Sequence, residues 1–99
     1  MMAAFVYILR CSDGSFYVGS TRAEDVDRRL SEHQQGCYDG YTAARLPVSL
    51  VWSGEFDLIT EAIAFERKLK GWSRAKKEAV IAGDWHKLPD LASRPRTRM

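Results

Sequence analysis

Two cysteines, Cys11 and Cys37, are all that the 99-residue chain contains. They do not supply the close pairs of ligands that a tetrahedral metal site needs, and in a reducing compartment they read as free thiols. Long apolar runs are missing too. The longest stops at Leu9, well short of the roughly 20 residues that cross a bilayer. Met1-Met2-Ala3-Ala4 carries neither the basic region nor the cleavage pattern of a signal peptide, so the default location is the cytoplasm. Net charge is only +2, and charge alone therefore does not argue for nucleic acid. Gly36 and Gly40 lack the lysine pattern of a phosphate loop, and no serine–histidine–aspartate triad is apparent. There is no internal repeat and no linker long enough to separate two domains. What remains is an ordinary composition, 45% hydrophobic and 28% charged, of a size that suits one domain over residues 1–99.

The chain opens on two aromatic-led apolar runs, Phe5 to Arg10 and Ser15 to Gly19, around Ser12-Asp13-Gly14-Ser15. Asp-Gly between such runs is a strong hairpin signal. Tyr7 and Tyr17 flank the turn, and a hairpin puts both phenols on one face. Thr21-Arg22-Ala23-Glu24 matches a capping box, with Thr21 as N-cap, and a helix follows to about Gln35, ended by Gly36. Val26 and Leu30 face its core side. Arg29 and His33, also four apart, share a second face. Residues 36–47 read as loop, which carries Tyr38, Tyr41, Thr42 and Arg45 and is open either as the side of a groove or as an irregular cover for the sheet. Val48 to Trp52 is a strand, with Phe56 as a possible extension. Asp57 is the expected N-cap of a helix from Leu58 to about Gly71, in which Ala62, Phe65, Glu66, Leu69 and Trp72 recur at helical spacing. Ser73 caps a third helix, Arg74 to Ala82, which Gly83 ends. Trp85 and Leu88 are expected to pack down in a closing segment. The core is expected over about 5–82, and the polar tail, about 92–99, is expected to be flexible. The order ββαβαα, with helices segregated against a small antiparallel sheet, is an α+β fold.

Charge is unevenly spread. Arg67, Lys68, Lys70, Arg74, Lys76 and Lys77 face only Glu66 and Glu78 in their stretch, and Arg94, Arg96 and Arg98 follow in the tail. A basic back half suits a phosphate backbone, although helices often carry lysines on a solvated face. Glu66 is the odd residue, because it falls on or beside an apolar stripe where a bare carboxylate is costly. It sits at the edge in water, is paired, or binds a cation.

Tyr7, Tyr17, Arg29, His33 and Glu66 together are the parts of phosphodiester cleavage. Arginine offsets charge on the phosphorus, a carboxylate holds a hydrated divalent cation, and a phenol or imidazole handles the proton. Taken singly, each has a plainer reading: core aromatics, a surface arginine, a capping histidine, a salt-bridged glutamate.

In order and spacing, these elements resemble the GIY-YIG nuclease superfamily, and within it the small stand-alone YhbQ-like bacterial proteins. The half-motifs read Val6-Tyr7-Ile8 and Tyr17-Val18-Gly19. Arg29-Leu30-Ser31-Glu32-His33 matches the family's arginine and, four residues on, its histidine or tyrosine. Ala62-Ile63-Ala64-Phe65-Glu66 matches the stretch with its metal-binding glutamate, and Leu69 to Glu78 resembles a segment typical of the stand-alone members.

The resemblance implies a three-stranded antiparallel sheet flanked by helices, with the site on the face bearing Tyr7 and Tyr17. It also implies DNA hydrolysis with one divalent cation, Mg²⁺ or Mn²⁺. By carry-over, Tyr17 is the first choice for activating water and Tyr7 positions water or phosphate, roles that can be exchanged. Arg29 contacts the scissile phosphate, His33 assists proton transfer or orients an oxygen, and Glu66 holds the cation. Two departures stand out. Ser20 occupies a position where several repair-type relatives carry lysine, and the segment from Thr21 to Asp27 is one residue longer than usual.

A lone module has little area for sequence readout. The expectation is an endonuclease of shape-dependent or weakly specific recognition, or one targeted by a protein partner. DNA repair, recombination and uptake-related processing stay open as pathways, and residue types alone leave RNA open. The alternatives are a DNA-binding module without catalysis, prompted by the basic run, and a protein-interaction domain, prompted by Trp52, Trp72 and Trp85.

Overall fold

The computed structural model describes residues 3–37, 40–85 and 96–97. Strands β1 (Ala4–Arg10) and β2 (Phe16–Arg22) form the expected hairpin, in a register that pairs Tyr7 with Gly19 and Leu9 with Tyr17. Gly14 supplies the positive φ, 85°, that the turn requires. The Asp13 carboxylate accepts from the Ser15 amide at 2.9 Å and from its hydroxyl at 2.6 Å, which fixes the loop. Strand β3 (Ser49–Phe56) lies antiparallel on the other side of β1. Its register shifts opposite Ile8 and Leu9, leaving Val51 as the extra residue of a bulge. These three strands, in the order β2-β1-β3, form the body of the sheet.

Because β1 is central, its residues from Ala4 to Leu9 are all buried, and alternation divides them between two layers. Ala4, Val6 and Ile8 join Val18, Trp52 and the stripe Ala62, Phe65 and Leu69 of α3 (Ile59–Lys70), closed by Ala79 and Val80 of α4 (Arg74–Ala82). Tyr7 and Leu9 face the opposite way, with Val48 and with Leu30 of α1 (Val26–Gln34) packed against them. Leu69 is fully buried; trimming such a leucine to alanine costs about 2–5 kcal/mol. The tryptophans belong to this core. Phe65 has Trp52, Trp72 and Trp85 around it at centroid distances of 6.1, 6.1 and 6.5 Å. Leu88 lies outside the described residues.

Several local expectations meet a different outcome. The capping box does not form: β2 continues through Thr21, paired with Phe5, and Arg22, paired with Ala4, so Thr21 is a buried ladder residue. A 3-10 turn at Ala23–Asp25 then leads into α1 with no side-chain cap. Leu58, not Asp57, is the N-cap position of α3, again with no side-chain bond. The stretch read as loop holds a short helix, α2 (Gly40–Ala43). Residues Arg96–Thr97 form a short strand, β4, which pairs with Gly54 and Glu55 at the far edge of the sheet; the rest of the tail read as flexible, 92–95 and 98–99, lies outside the described residues. Elsewhere the local chemistry is as read. Ser73 Oγ accepts from the Lys76 amide at 3.3 Å, Gly83 closes α4 at φ 80°, and Gly36 follows α1 at φ 73°. Among the described residues no helix is long and apolar enough to cross a membrane.

Candidate active site at the edge of strand β2

Strand β2 lies at one edge of the sheet, so helices on both faces can reach around its rim. Tyr7 and Tyr17 share the α1 face, as the hairpin register requires. Tyr7 is only 1% exposed. Its ring lies across Gly19, where a Cβ would stand 2.5 Å from the phenol oxygen and 2.6 Å from Cζ. The glycine of Tyr17-Val18-Gly19 is thus a space requirement set by the tyrosine of the opposite strand.

His33, in the last turn of α1, is fully buried behind these rings. Its Nε2 bonds the Tyr7 hydroxyl at 3.0 Å and its Nδ1 bonds Thr42 Oγ1 at 2.9 Å. When the threonine accepts from Nδ1–H, Nε2 is left to accept the phenol proton. Tyr17 packs on the same imidazole, with centroids 5.0 Å apart. The helix that delivers His33 also delivers Arg29, one turn earlier. Arg28 points outward, 59% exposed and paired with Asp25 at 3.0 Å, whereas Arg29 is 20% exposed. Arg29 Nη1 reaches the Ser20 carbonyl at 3.5 Å.

Glu66 arrives from the other layer. It sits on α3 beside Phe65, and its side chain is 15% exposed. Oε1 accepts from the Ser20 hydroxyl at 2.6 Å, and Oε2 pairs with Lys70 Nζ at 2.8 Å. Of the three readings open for this carboxylate, the structure has it paired. Ser20 is therefore the meeting point, with the arginine on its carbonyl and the glutamate on its hydroxyl. Tyr7, Tyr17, Arg29 and His33 come together on one face, and Glu66 reaches the rim from the other. Among the described residues no three His, Cys, Asp or Glu side chains cluster as metal ligands. A single carboxylate of this kind would suit a hard, largely hydrated cation, with Glu66 as its protein ligand.

The surroundings are pinned to the hairpin turn. Arg45 Nε donates to Asp13 Oδ2 at 2.9 Å, Arg45 Nη1 donates to the Tyr41 carbonyl at 3.1 Å, and the guanidinium lies 3.9 Å from the Tyr41 ring centroid. On the other side Arg74 donates to the Gly14 carbonyl at 2.9 Å. The Ser15 hydrogen bonds, followed by Arg45, hold the Asp13 carboxyl below its usual range. Burial pushes the Cys11 thiol up. Sequence reasoning placed Tyr41 and Thr42 in a loop open to a groove and Lys70 in the basic run, without assigning them to this site. Lys70, four residues after Glu66, was legible as a helical ion pair, but nothing local marks Thr42.

The fold and this arrangement of residues define a class. The chain belongs to the GIY-YIG catalytic domain family, which matches residues 3–79. Within it, the chain is similar to small UPF0213 proteins. It is 45% identical over 76 residues to one from Halobacterium salinarum, spanning 77% of this chain and 96% of that protein. It is 41% identical over 81 residues to one from Staphylococcus aureus, spanning 82% and 96%. The solution NMR structure of a UPF0213 protein from Bacillus halodurans superimposes with a TM-score of 0.53 at 38% identity, covering 92% of this chain and 98% of that one.

Proposed function

We propose that this domain is an endonuclease that hydrolyses phosphodiester bonds in DNA with the help of one divalent cation, Mg²⁺ or Mn²⁺. The observation that carries the reading is the convergence of Arg29 and Glu66 on Ser20, beside the Tyr7–His33 pair. Arg29 pairs with the scissile phosphate and offsets the charge that builds on it. Glu66 holds the cation, which when bound acidifies water or stabilises the leaving oxygen. Tyr7 takes the proton of the attacking water and passes its own to His33 Nε2, and Thr42 keeps the imidazole in the accepting tautomer. Tyr17 positions water or phosphate at the rim. This exchanges the two phenols relative to the first sequence reading, because Tyr7 is the one whose hydroxyl bonds a buried imidazole. Ser20 supplies no ammonium, but Lys70 brings one to Glu66 from α3.

DNA is the substrate these groups suit, with recognition by shape or by a protein partner. Among the described residues no feature of the rim reads a sequence, and a cytoplasmic location fits the chain. A second reading, DNA binding without catalysis, has the Lys70–Glu66 pair behind it, since an ammonium already neutralises the carboxylate. The two separate in one assay: purified protein is incubated with duplex, single-stranded, flap and branched DNAs in Mg²⁺ or Mn²⁺. Cleavage that Glu66→Ala abolishes supports the nuclease. Salt-sensitive binding that survives Glu66→Ala, without cleavage of any form, supports the binding module.

A further inference from the structure

Next to the Ser20 meeting point, the rim of β2 opens into a groove of about 320 Å³. It is lined by Phe16, Tyr17 and Val18 of β2, with Tyr41 of α2 beside Tyr17 and with Lys70 of α3 and Lys77 of α4 from the other layer. The two tyrosine rings are 6.2 Å apart between centroids and inclined by 31°, so they make one stepped aromatic wall. Tyr41 is exposed at 39%, and the guanidinium of Arg45, itself tied to Asp13, covers one face of its ring. The contribution of the other layer is cationic. Lys70 belongs to both places, because it lines the groove and pairs with Glu66.

We propose that this groove binds one unpaired nucleotide of single-stranded DNA, the nucleotide adjoining the phosphate at Arg29 and Glu66. The inference deepens the nuclease reading and rests on it for the position of the scissile bond. An aromatic wall together with lysines is the arrangement that takes a base on its π face and the backbone on its charge. Within a duplex both faces of each base are covered by neighbours, so the Tyr41 ring gains contact only with a base outside the stack. The groove's volume lies at the small end of ligand sites, near the ~300 Å³ that holds a single small ligand.

The test is equilibrium binding of a fluorescent short oligothymidylate to the full chain in EDTA, beside an oligothymidylate–oligoadenylate duplex of equal length and a matching oligouridylate. The single strand is expected to bind more tightly than the duplex. Tyr41→Ala is expected to weaken single-strand binding about tenfold and Tyr41→Phe to restore it, with duplex binding unchanged by either. Lys77→Ala should lower the dependence of log K on log salt by about 0.7, the contribution of one single-strand phosphate. Equal or tighter duplex binding overturns the proposal. So does a folded Tyr41→Ala protein with unaltered single-strand affinity, or, should that variant fail to fold, an unaltered salt slope in Lys77→Ala. Tighter, Tyr41-dependent binding of the oligouridylate overturns the assignment to DNA. Cleavage is scored separately in Mg²⁺ and Mn²⁺. Tyr41-dependent binding with no cleavage leaves the groove and removes the nuclease. Cleavage of duplex that ignores Tyr41 does the reverse.

Discussion

The Tyr7 ring lies so close over Gly19 that a methyl group on the glycine would stand 2.5 Å from the phenol oxygen. The paired strands hold both residues in place, Tyr7 directly opposite Gly19, so neither can withdraw without disturbing the hairpin. Gly19→Ala is expected to destabilise the domain by about 1–3 kcal/mol, the usual range for overpacking a filled core. It also displaces the hydroxyl from His33. Urea denaturation measures the first effect, and loss of DNA cleavage by the remaining folded protein measures the second.

Thr42 and Tyr7 bracket His33, one on each ring nitrogen. Thr42→Val keeps the shape and removes the oxygen from Nδ1, leaving a buried polar group that costs about 1–3 kcal/mol. Thr42→Ser retains the oxygen. The pH dependence of cleavage should shift in the valine variant and return in the serine variant. A purely structural role for Thr42 would lower stability and leave the pH profile where it was.

Asp13 ties the hairpin turn to Arg45, and through it to Tyr41. Its carboxyl is held below the ordinary value of 3.8 by the Ser15 bonds first and by Arg45 after them. A depressed carboxyl contributes stability that is fully present above the unfolded value and is lost as pH falls through the folded one. Thermal stability should therefore drop on acidification below about pH 4, and Asp13→Asn should lose less over that window than the parent protein. Stability of both proteins falling in parallel would contradict this assignment.

The thiols report on the layers. Cys11 is buried, with burial raising its pKa, whereas Cys37 is exposed. A thiol reagent at neutral pH should modify Cys37 rapidly and Cys11 only at the rate at which the domain opens. Mass spectrometry of the singly labelled protein locates the modified residue.

Much of this architecture was legible before any coordinates. The hairpin follows from Asp13-Gly14 between aromatic-led runs, α3 from the spacing of Ala62, Phe65 and Leu69, and the start and end of α4 from Ser73 and Gly83. The Tyr7, Arg29, His33 and Glu66 positions were marked by their spacing together with the family pattern. What failed was local capping logic where tertiary pairing competes with it. Thr21 offers a good cap, but Phe5 across the ladder holds it in β2. The segment carrying Tyr41 and Thr42 was read only as a loop that could lie beside a groove, because α2 is a single turn defined by what it packs on. Nor does periodicity say that Glu66 and Arg29, on opposite layers, meet around one strand edge. That relation depends on β2 being outermost.

Lys70 now holds Glu66 Oε2 at 2.8 Å while remaining 53% exposed. Such an ammonium competes with a cation for the carboxylate and can move into solvent at little cost. Lys70→Ala should reduce the concentration of Mn²⁺ needed for half-maximal binding, read by Mn²⁺ electron paramagnetic resonance in the absence of DNA. An unchanged binding curve would mean that the pair does not guard the site.

The most direct test of the central claim is cleavage of a panel of DNA forms in Mg²⁺ or Mn²⁺ by the parent protein, Glu66→Ala and Arg29→Ala, each first shown to be folded. The account predicts cation-dependent cutting by the parent protein, abolished in Glu66→Ala and reduced about 10²–10³-fold in Arg29→Ala. Folded parent protein that cuts no DNA form with either cation, or cutting that persists undiminished in both variants, would contradict it.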